Sequence, residues 1–426
     1  MNAHDLTPGS CKRIRIAILT AASLAWNPRA LREAQTLARA DFDVVVYGAG
    51  SNPAQITADE SLARRHDFVF KSILPVGQGL LLRMGAIGRG IRIRIGGALS
   101  RTLGVENHWQ LGAAAGLLRH AKKAQADYYI VHLEPAAWVG VQLLNAGFQV
   151  GVDMEDWYSE DLLPQARKSR PTRLLRELEH RLLTEGGHAT CPSAAMSKVL
   201  REEYGCAAPL AVYNVDWWGG RETTDGLSRD RMSRTRPSIH WFSQTLGRGR
   251  GLEDLLASLP LLEYDAEVHL RGSPADGFPE WLARAVPEKW RDRIFVHDLV
   301  SENELLSRVA EHDVGFAGEM KYCRSRDLTI TNKILQYLLA GLAVVASDTT
   351  GQREVAIQAP GAVSLYSSGD SAGLAACLNA LFASPELLSH AKTAALLAAE
   401  RTFCWERQGR KLLEAVSYAL ASRDRH

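Results

Sequence analysis

The sequence predicts two successive doubly wound α/β domains. Short apolar runs rich in β-branched residues alternate with segments of helical period along nearly the whole chain. The runs are apolar throughout, which is typical of strands buried on both faces of a parallel sheet. One polar, aperiodic stretch interrupts the alternation at residues 215–237. The 426 residues suffice for two hydrophobic cores.

The composition excludes several classes of protein. Lys and Arg total 50 against 48 Asp and Glu, so the formal net charge of +2 is not that of a general nucleic-acid binder. No apolar run approaches the roughly 18 residues of a transmembrane helix. The N-terminus, Met1 to Arg15, is polar and lacks the apolar stretch of a signal peptide. We therefore expect a cytoplasmic protein.

The first half opens with a strand–helix–strand unit. Ile14 to Leu19 is a short apolar run, and Asn27-Pro28 supplies an N-cap followed by proline at the first helical position. Val44 to Val46 forms the centre of the second strand. Such a unit implies a parallel pair with a right-handed crossover. Later in this half we predict strands at 128–131, 149–153, 188–191 and 211–213 and helices at 136–145, 174–183 and 194–204.

The alternation restarts at Ser238 to Phe242, after the polar stretch that we interpret as an interdomain linker. Strands are predicted at 266–270, 293–296, 314–317 and 343–346, and helices at 252–258, 302–309, 332–339 and from 371 to about 422. The predicted domains are residues 1–214 and 238–402, joined by the linker 215–237.

In open parallel sheets, ligands bind beyond the carboxyl ends of the strands, so the predicted site is the interdomain cleft. Gly247 to Gly251 follows the first strand of the second domain and precedes a helix. Its three glycines allow close approach to an anion, and Arg248 and Arg250 add positive charge. The alternative is a tight exposed turn with solvated arginines.

Two more candidates lie in the second domain. Asn332, Lys333 and Gln336 share the polar face of a helix start and could bind phosphate and sugar hydroxyls. Glu319 follows a strand end and could accept two hydroxyl hydrogen bonds. A solvated helix end and an exposed loop carboxylate are the respective alternatives.

In the first domain, His132 to Glu134 follows one strand and Asp153 to Asp156 follows the next. A neutral histidine and carboxylates at strand ends suit sugar hydroxyls or proton transfer. A buried structural histidine and solvated acids are the alternatives. No ligand spacing supports a metal site, and we expect none.

Four segments together resemble the GT-B glycosyltransferases, specifically the family 4-like group (glycosyl transferases group 1). They are NPRALREAQTLARADFDVVVYG, CPSAAMSKVLREEYG followed by VYNV, WFSQTLGRGRGLEDLL, and RDLTITNKILQYLLAGLAVVASDTTGQREV. The resemblance covers nearly the whole chain. It implies two Rossmann-like domains facing across a cleft, with the final helix, 403–426, crossing back to the first domain.

The resemblance also implies an activity. Such an enzyme moves a hexosyl or other glycosyl group from a nucleotide-sugar donor (UDP-, GDP- or another NDP-sugar), usually with retention and without an obligatory cofactor or metal. The expected acceptor is a saccharide or lipid-linked saccharide in cell-surface polysaccharide or glycoconjugate synthesis.

Site residues follow from the matching motifs. The catalytic candidates are His132 and Glu319. The donor-binding candidates are Gln244, Gly249, Arg250, Thr331, Asn332, Lys333 and Gln336. The acceptor-side candidates are Asn27, Arg29, Glu134, Asp153, Glu155 and Asp156. Gln336 and Leu328 stand where most members have a pair of glutamates. Two alternatives therefore stay open: a nucleotide-sugar 2-epimerase, although that class lacks the NPRALRE helix, and a non-catalytic nucleotide-sugar-binding protein.

The segment 71–101 is cationic. No acidic residue occurs between Asp67 and Glu106, whereas six basic residues do. Leu80, Met84, Ile87, Ile91 and Ile95 fall on one helical face. An apolar face with a cationic rim suits an anionic membrane surface, so we expect peripheral attachment to the inner face of the cytoplasmic membrane. The alternative is a core-packed segment, with the alternation from Ile91 to Ile95 typical of a strand.

Overall fold

The structure is a computed structural model that describes residues 13–50, 52–74, 80–231 and 235–423, with the backbone alone for 80–86 and 423. Most of the N-terminal segment on which the cytoplasmic prediction depends, residues 1–12, lies outside the described part. So do the side chains of Leu80 and Met84 from the predicted membrane face.

The first sheet contains seven strands. They are β1 (Arg15–Leu19), β2 (Asp43–Gly48), β3 (Val69–Ser72), β4 (Tyr128–His132), β5 (Val150–Asp153), β6 (Ala189–Cys191) and β7 (Leu210–Ala211). The accompanying helices are α1 (Pro28–Arg39), α2 (Pro53–Arg65), α3 (Leu80–Leu103), α4 (Ala114–Ala124), α5 (Leu133–Asn145), α6 (Pro164–Arg167), α7 (Thr172–Glu185) and α8 (Ala194–Tyr204). The strand order is β3-β2-β1-β4-β5-β6-β7.

The second sheet contains six strands. They are β8 (Ser238–Leu246), β9 (Glu267–Pro274), β10 (Ile294–His297), β11 (Val314–Ala317), β12 (Ala343–Ser347) and β13 (Val363–Tyr366). The helices of this half are α9 (Leu252–Ser258), α10 (Phe278–Ala285), α11 (Glu302–Val309), α12 (Arg324–Leu328), α13 (Asn332–Ala340), α14 (Thr350–Gln358), α15 (Ser371–Ala383), α16 (Pro385–Arg401) and α17 (Trp405–Arg423). The order is β10-β9-β8-β11-β12-β13.

The central strands pair in parallel and are buried. In the first sheet β1 lies between β2 and β4, with Ala17 opposite both Val45 and Tyr129. In the second sheet β11 pairs in parallel with β8 and β12. Trp241 and Phe316 lie fully buried in the second core. The predicted α/β class with two parallel sheets is confirmed.

The chain divides into two compact units. Among the described residues, one comprises 13–50, 52–74, 80–154, 169–189 and 413–423, and the other comprises 155–168, 190–231 and 235–412. The cleft between the predicted domains stays a prediction.

The segment 80–103 is helical, which settles the choice between helix and strand there. Among the described residues, no single helix has the length and hydropathy to cross a bilayer. The helices of Ser371–Ala383 and Pro385–Ser422 meet that criterion only as a pair, with a bend of 103° between them.

Candidate functional site

The glycine-rich loop of the second unit lies directly against the residue that precedes Glu319. Gly251 has φ +81°, and a Cβ added there would stand 2.8 Å from the carbonyl carbon of Gly318. Any side chain at position 251 would therefore push the two segments apart. The fold thus brings the loop 247–251, between β8 and α9, next to the end of β11.

The side chain of Arg250 in this loop is exposed and makes a hydrogen bond to a neighbouring strand residue. The Nη1 atom of Arg250 donates a hydrogen bond to Ser243 Oγ at 3.0 Å. The backbone N–H of Gly249 donates to the Glu253 carboxylate at 2.8 Å. An anion that binds this N–H must therefore displace Glu253. Gln244 is also exposed, close to the carboxyl end of β8.

Glu319, just after β11, is the centre of a polar network. Its Oε1 accepts hydrogen bonds from Lys333 Nζ at 2.9 Å and Thr331 Oγ1 at 3.1 Å. Its backbone N–H donates to Ser347 Oγ at 2.7 Å, which fixes the turn on which the carboxylate stands. Lys333 Nζ also lies 5.3 Å from the ring centroid of Trp241, a cation–π contact.

The charge state of this network follows from its contacts. Burial opposes ionisation of Glu319, but the ion pair with Lys333, together with Arg326 and Thr331, outweighs burial and lowers the pKa of the carboxyl group. Glu319 is therefore a carboxylate at neutral pH. It can accept hydrogen bonds from sugar hydroxyls but cannot serve as an acid.

Two predicted donor-binding residues of α13 are hydrogen-bonded to side chains of residues 214 and 216. Gln336 Nε2 donates to Asp216, and Asn332 Oδ1 accepts from Asn214 Nδ2 at 3.0 Å. A ribose at this helix start would therefore meet side chains that are already hydrogen-bonded.

Asp156, predicted on the acceptor side, is grouped with the second unit together with Glu155. Its carboxylate lies 3.5 Å from Thr329 Oγ1. Burial raises the pKa of Asp156 to about 7, although the nearby Arg326 opposes this shift. Asp156 therefore titrates near neutral pH beside Thr329, close in sequence to the predicted donor-binding residues.

In the first unit, four polar residues are buried where β4 and β5 end. The Nε atom of Arg29 donates to both carboxylate oxygens of Asp153 at 2.8 and 2.7 Å. His132 Nε2 lies 2.5 Å from Glu33 Oε2. Each of the four is no more than 3% exposed. Of these, Arg29, His132 and Asp153 were predicted site residues.

The remaining acceptor-side candidates have structural partners. Asn27 caps α1, its Oδ1 accepting from the Ala30 N–H at 2.9 Å, and its Nδ2 donates to Thr20. Glu134 is paired with Arg170. These contacts hold the segments after β1 and β4 in place.

One atom from each of Glu33, His132 and Asp153 lies within 4.8 Å of the others, a spacing that could hold a metal ion. Two contacts oppose this. The guanidinium of Arg29 already neutralises Asp153. Ligands bound to one ion at about 2.1 Å stand roughly 3 Å apart, which exceeds the 2.5 Å between Glu33 and His132. The short distance between Glu33 and His132 therefore fits a shared proton better than a bound metal ion.

Sequence reasoning missed Glu33. It follows Arg29 by four residues in a predicted helix, so a shared face was predictable. Its partner His132 is 99 residues away, and no local pattern joins them. Ser347, which fixes the Glu319 turn, was missed for the same reason.

No family model and no curated protein sequence matches this chain. Solved structures do match it over nearly its full length. A glycosyltransferase from Rickettsia africae is 12% identical with a TM-score of 0.66, covering 96% of this chain and 99% of that one. Sucrose-phosphate synthase from Thermosynechococcus elongatus is 14% identical with a TM-score of 0.71, covering 96% and 100%. Anabaena HepE in complex with UDP-glucose is 16% identical with a TM-score of 0.67, covering 95% and 100%.

A UDP-N-acetylglucosamine 2-epimerase-like protein from Listeria monocytogenes is also similar, at 12% identity and a lower TM-score of 0.57, covering 95% of this chain and 96% of that one. At these identities the likeness concerns the fold. The higher scores belong to the transferases, and the chain has the GT-B fold that the sequence predicted.

Proposed function

We propose that the protein is a glycosyltransferase that uses a nucleotide-sugar donor. The observation that carries this proposal is the contact between Gly251 and Gly318, which brings the Arg250 loop beside the Glu319–Lys333 network. A diphosphate beside Arg250 and Lys333 would accept charge-assisted hydrogen bonds from both side chains. Glu319 would accept hydrogen bonds from hydroxyls of the sugar.

The donor class is a nucleoside diphosphate sugar. Support comes from the fold, which HepE uses to bind UDP-glucose. No metal is required by this proposal, because Arg250 and Lys333 supply cationic hydrogen-bond donors for the diphosphate. The sugar is transferred with retention, with the departing phosphate taking the acceptor proton.

Thermal unfolding with a panel of UDP-, GDP- and ADP-sugars tests the proposal. A donor at 100 times its Kd raises the free energy of unfolding by about 2.7 kcal/mol, and the midpoint temperature rises with it. Nucleoside monophosphates serve as the control for base binding alone. If no donor raises the midpoint at millimolar concentration, the proposed function is wrong.

Two other functions share this fold and are separated by product analysis. A 2-epimerase, supported by the Listeria relative, interconverts its nucleotide sugar without any acceptor. A non-catalytic binder, suggested by Gln336 and Leu328 in place of glutamates, neither hydrolyses nor transfers the donor. Chromatography of the nucleotide products with and without a saccharide acceptor distinguishes all three.

The acceptor is a saccharide or lipid-linked saccharide, reached at the inner surface of the cytoplasmic membrane. Helix α3 supports this location. Ile87, Ile91 and Ile95, each four residues from the next, are 61%, 48% and 44% exposed. Arg92 and Arg94 are exposed on the same helix. Exposed isoleucines beside arginines fit an anionic lipid surface.

A further inference from the structure

The loop between β1 and α1, residues 20–27, presents an exposed tryptophan. Trp26 is 61% exposed, although tryptophan is a highly buried residue on average. Leu24, two residues earlier in the same short 3-10 turn, is fully buried. The turn therefore places one apolar side chain in the core and holds the other in solvent.

The backbone of this turn is held by side chains of α2. The carboxyl group of Asp59, 1% exposed, accepts hydrogen bonds from the backbone N–H groups of Leu24 and Ala25. Gln55 Nε2 donates a hydrogen bond to Ser23 Oγ at 2.8 Å. Three consecutive residues of the turn are therefore fixed by one neighbouring helix.

The end of β2 and the start of α1 fix the rest of the loop. The N–H of Ala49 donates to the carbonyl oxygen of Ala22 at 3.0 Å, and a Cβ added to Gly48 would stand 2.6 Å from that oxygen. Asn27 caps α1 and donates to Thr20. Because the loop is already ordered, a ligand that contacts the exposed indole pays little entropy for immobilising it.

The position of the loop in the sheet is that of a ligand site. In the order β3-β2-β1-β4-β5-β6-β7, the chain leads away from β1 in one direction and from β4 in the other. The topological switch point therefore lies between β1 and β4, and ligands of open parallel sheets bind beside this point, beyond the carboxyl ends of the strands. Loop 20–27 leaves the carboxyl end of β1.

The chemistry of the loop fits an uncharged ring. From Ile16 to Pro28 the sequence contains no charged residue, so the loop lacks the cations that a phosphate or an anionic lipid surface would favour. The proposed donor groups, Arg250, Glu319 and Lys333, all belong to the second unit. The switch point of the first sheet is therefore left for the other substrate of the transfer.

We propose that Trp26 stacks on a pyranose ring of the acceptor and thereby selects a saccharide. This inference rests on the proposed glycosyltransferase function. One face of a pyranose ring presents C–H groups, which can pack on the indole and remove apolar surface of both rings from water. The hydroxyl groups at the edge of the sugar stay free to form hydrogen bonds.

Fluorine nuclear magnetic resonance of the full chain labelled with 5-fluorotryptophan tests this contact. The Trp26 signal is identified by its loss in Trp26→Phe. The probes are the methyl pyranosides of glucose, galactose, mannose and N-acetylglucosamine at tens of millimolar, with and without UDP. At least one glycoside is expected to shift the Trp26 signal saturably. The acyclic polyol sorbitol is expected to leave it unchanged, and the signal of the buried Trp241 is expected to stay in place throughout.

Transfer assays with a donor identified by thermal shift and the glycoside that binds measure the contribution of the indole. Trp26→Ala and Trp26→Leu are expected to raise the acceptor KM about 10-fold or more, with the donor KM changed less than about 3-fold. Trp26→Tyr keeps an aromatic face and is expected to stay within about 3-fold of the wild type. Because the side chain is exposed, the thermal midpoint of each variant should be unchanged.

Tyr418→Ala is the matched control, because Tyr418 on α17 is another exposed aromatic residue of the first unit. Its neighbour Ala419 lies 3.5 Å from the position of a Cβ at Gly187, which precedes β6, so Tyr418 stands at the amino edge of the sheet. This variant is expected to leave both the glycoside shifts and the acceptor KM unchanged.

Four results would overturn the inference. They are no saturable shift of the Trp26 signal with any glycoside, a shift with UDP alone, a shift with phosphatidylglycerol vesicles alone, and an acceptor KM that Trp26→Ala leaves unchanged. The second would assign Trp26 to the donor base, and the third to a membrane. If the wild type neither binds nor turns over a nucleotide sugar, the proposed function fails, and the glycoside titration still decides whether Trp26 binds a saccharide.

Discussion

At the scale of single residues, the two cations of the proposed donor site differ in burial and in contacts. Lys333 is nearly buried and ion-paired with Glu319, whereas Arg250 is exposed and donates a hydrogen bond to Ser243. Removing Lys333 would leave a buried carboxylate without its cation, which costs about 3–5 kcal/mol of stability. A binding defect in a Lys333 variant would therefore mix folding with recognition, and Arg250 gives the cleaner measurement.

Arg250→Ala is expected to weaken UDP binding about 10- to 100-fold, because one charge-assisted contact contributes about 1.5–3 kcal/mol. Isothermal titration calorimetry with UDP measures the change. Arg248→Ala is the matched control, since Arg248 belongs to the same loop, has a side chain 71% exposed and lies 3.8 Å from Glu253. Equal affinities in the Arg250 variant and the wild type would place the diphosphate elsewhere.

At the scale of secondary-structure elements, α3 combines features that a core helix does not have. Its central turns expose isoleucines and arginines together, and its segment lacks any acidic residue. An exposed apolar surface of this kind is typical of an interaction site and not of a helix face that contacts water alone. The charge pattern favours an anionic lipid surface over an apolar protein partner.

Sedimentation with vesicles containing phosphatidylglycerol tests α3. Arg92→Glu combined with Arg94→Glu is expected to weaken binding at low salt at least 30-fold, since each basic residue near such a surface contributes roughly 1 kcal/mol. Arg64→Glu combined with Arg65→Glu on α2 is the control, because these arginines are exposed on another helix. The proposal is supported if the α2 variant still binds the vesicles and the α3 variant does not. It is contradicted if the two variants lose binding equally.

The elements that sequence analysis predicted best have either a continuous apolar run or clear signals at both ends. Strand β11 and helix α8 have the predicted bounds, the first because it is apolar throughout and the second because Ser193 caps it and Gly205 ends it. Strands β3 and β13 were missed. Both are edge strands with half-exposed side chains, so they lack a continuous apolar run.

The candidate site was predictable as a set of positions and not as a set of contacts. Strand ends and helix starts indicated Glu319, Lys333 and His132, because they lie where local periodicity changes. The pairs Glu319–Lys333 and Glu33–His132 depend on how elements pack, and local sequence does not encode this. The hydrogen bond from Gln336 to Asp216 has the same origin.

At the scale of the whole molecule, a group of buried histidines sets the response to acid. His240 lies on β8, His269 lies on β9, and His312 lies two residues before β11. The ring centroids are 4.4 Å apart for His240 and His312 and 4.6 Å apart for His269 and His312. His297 stacks on His269. Burial lowers the pKa of all four, that of His312 to about 4.

Because of these shifts, the free energy of unfolding decreases in acid. The folded histidines stay neutral, whereas the unfolded chain binds protons below its ordinary histidine pKa of about 6.5, so stability is lost as the pH falls below that value. At pH 5.5 each of His240, His269 and His312 contributes a loss of about 1.4 kcal/mol, roughly 4 kcal/mol for the three. Asp156, with its raised pKa, offsets about 2 kcal/mol of this between pH 7.5 and 5.5.

From these groups we expect the free energy of unfolding to fall by about 2 kcal/mol between pH 7.5 and 5.5. Urea unfolding followed by tryptophan fluorescence measures it, since Trp241 is buried beside His240 on β8. Neither ring nitrogen of His240 has a hydrogen-bond partner among the described residues. His240→Leu should therefore change stability at pH 7.5 by less than about 1.5 kcal/mol and reduce the loss at pH 5.5 by about 1.4 kcal/mol. A free energy that is the same at both pH values, or a loss that His240→Leu leaves unchanged, would show that these rings do not control acid stability.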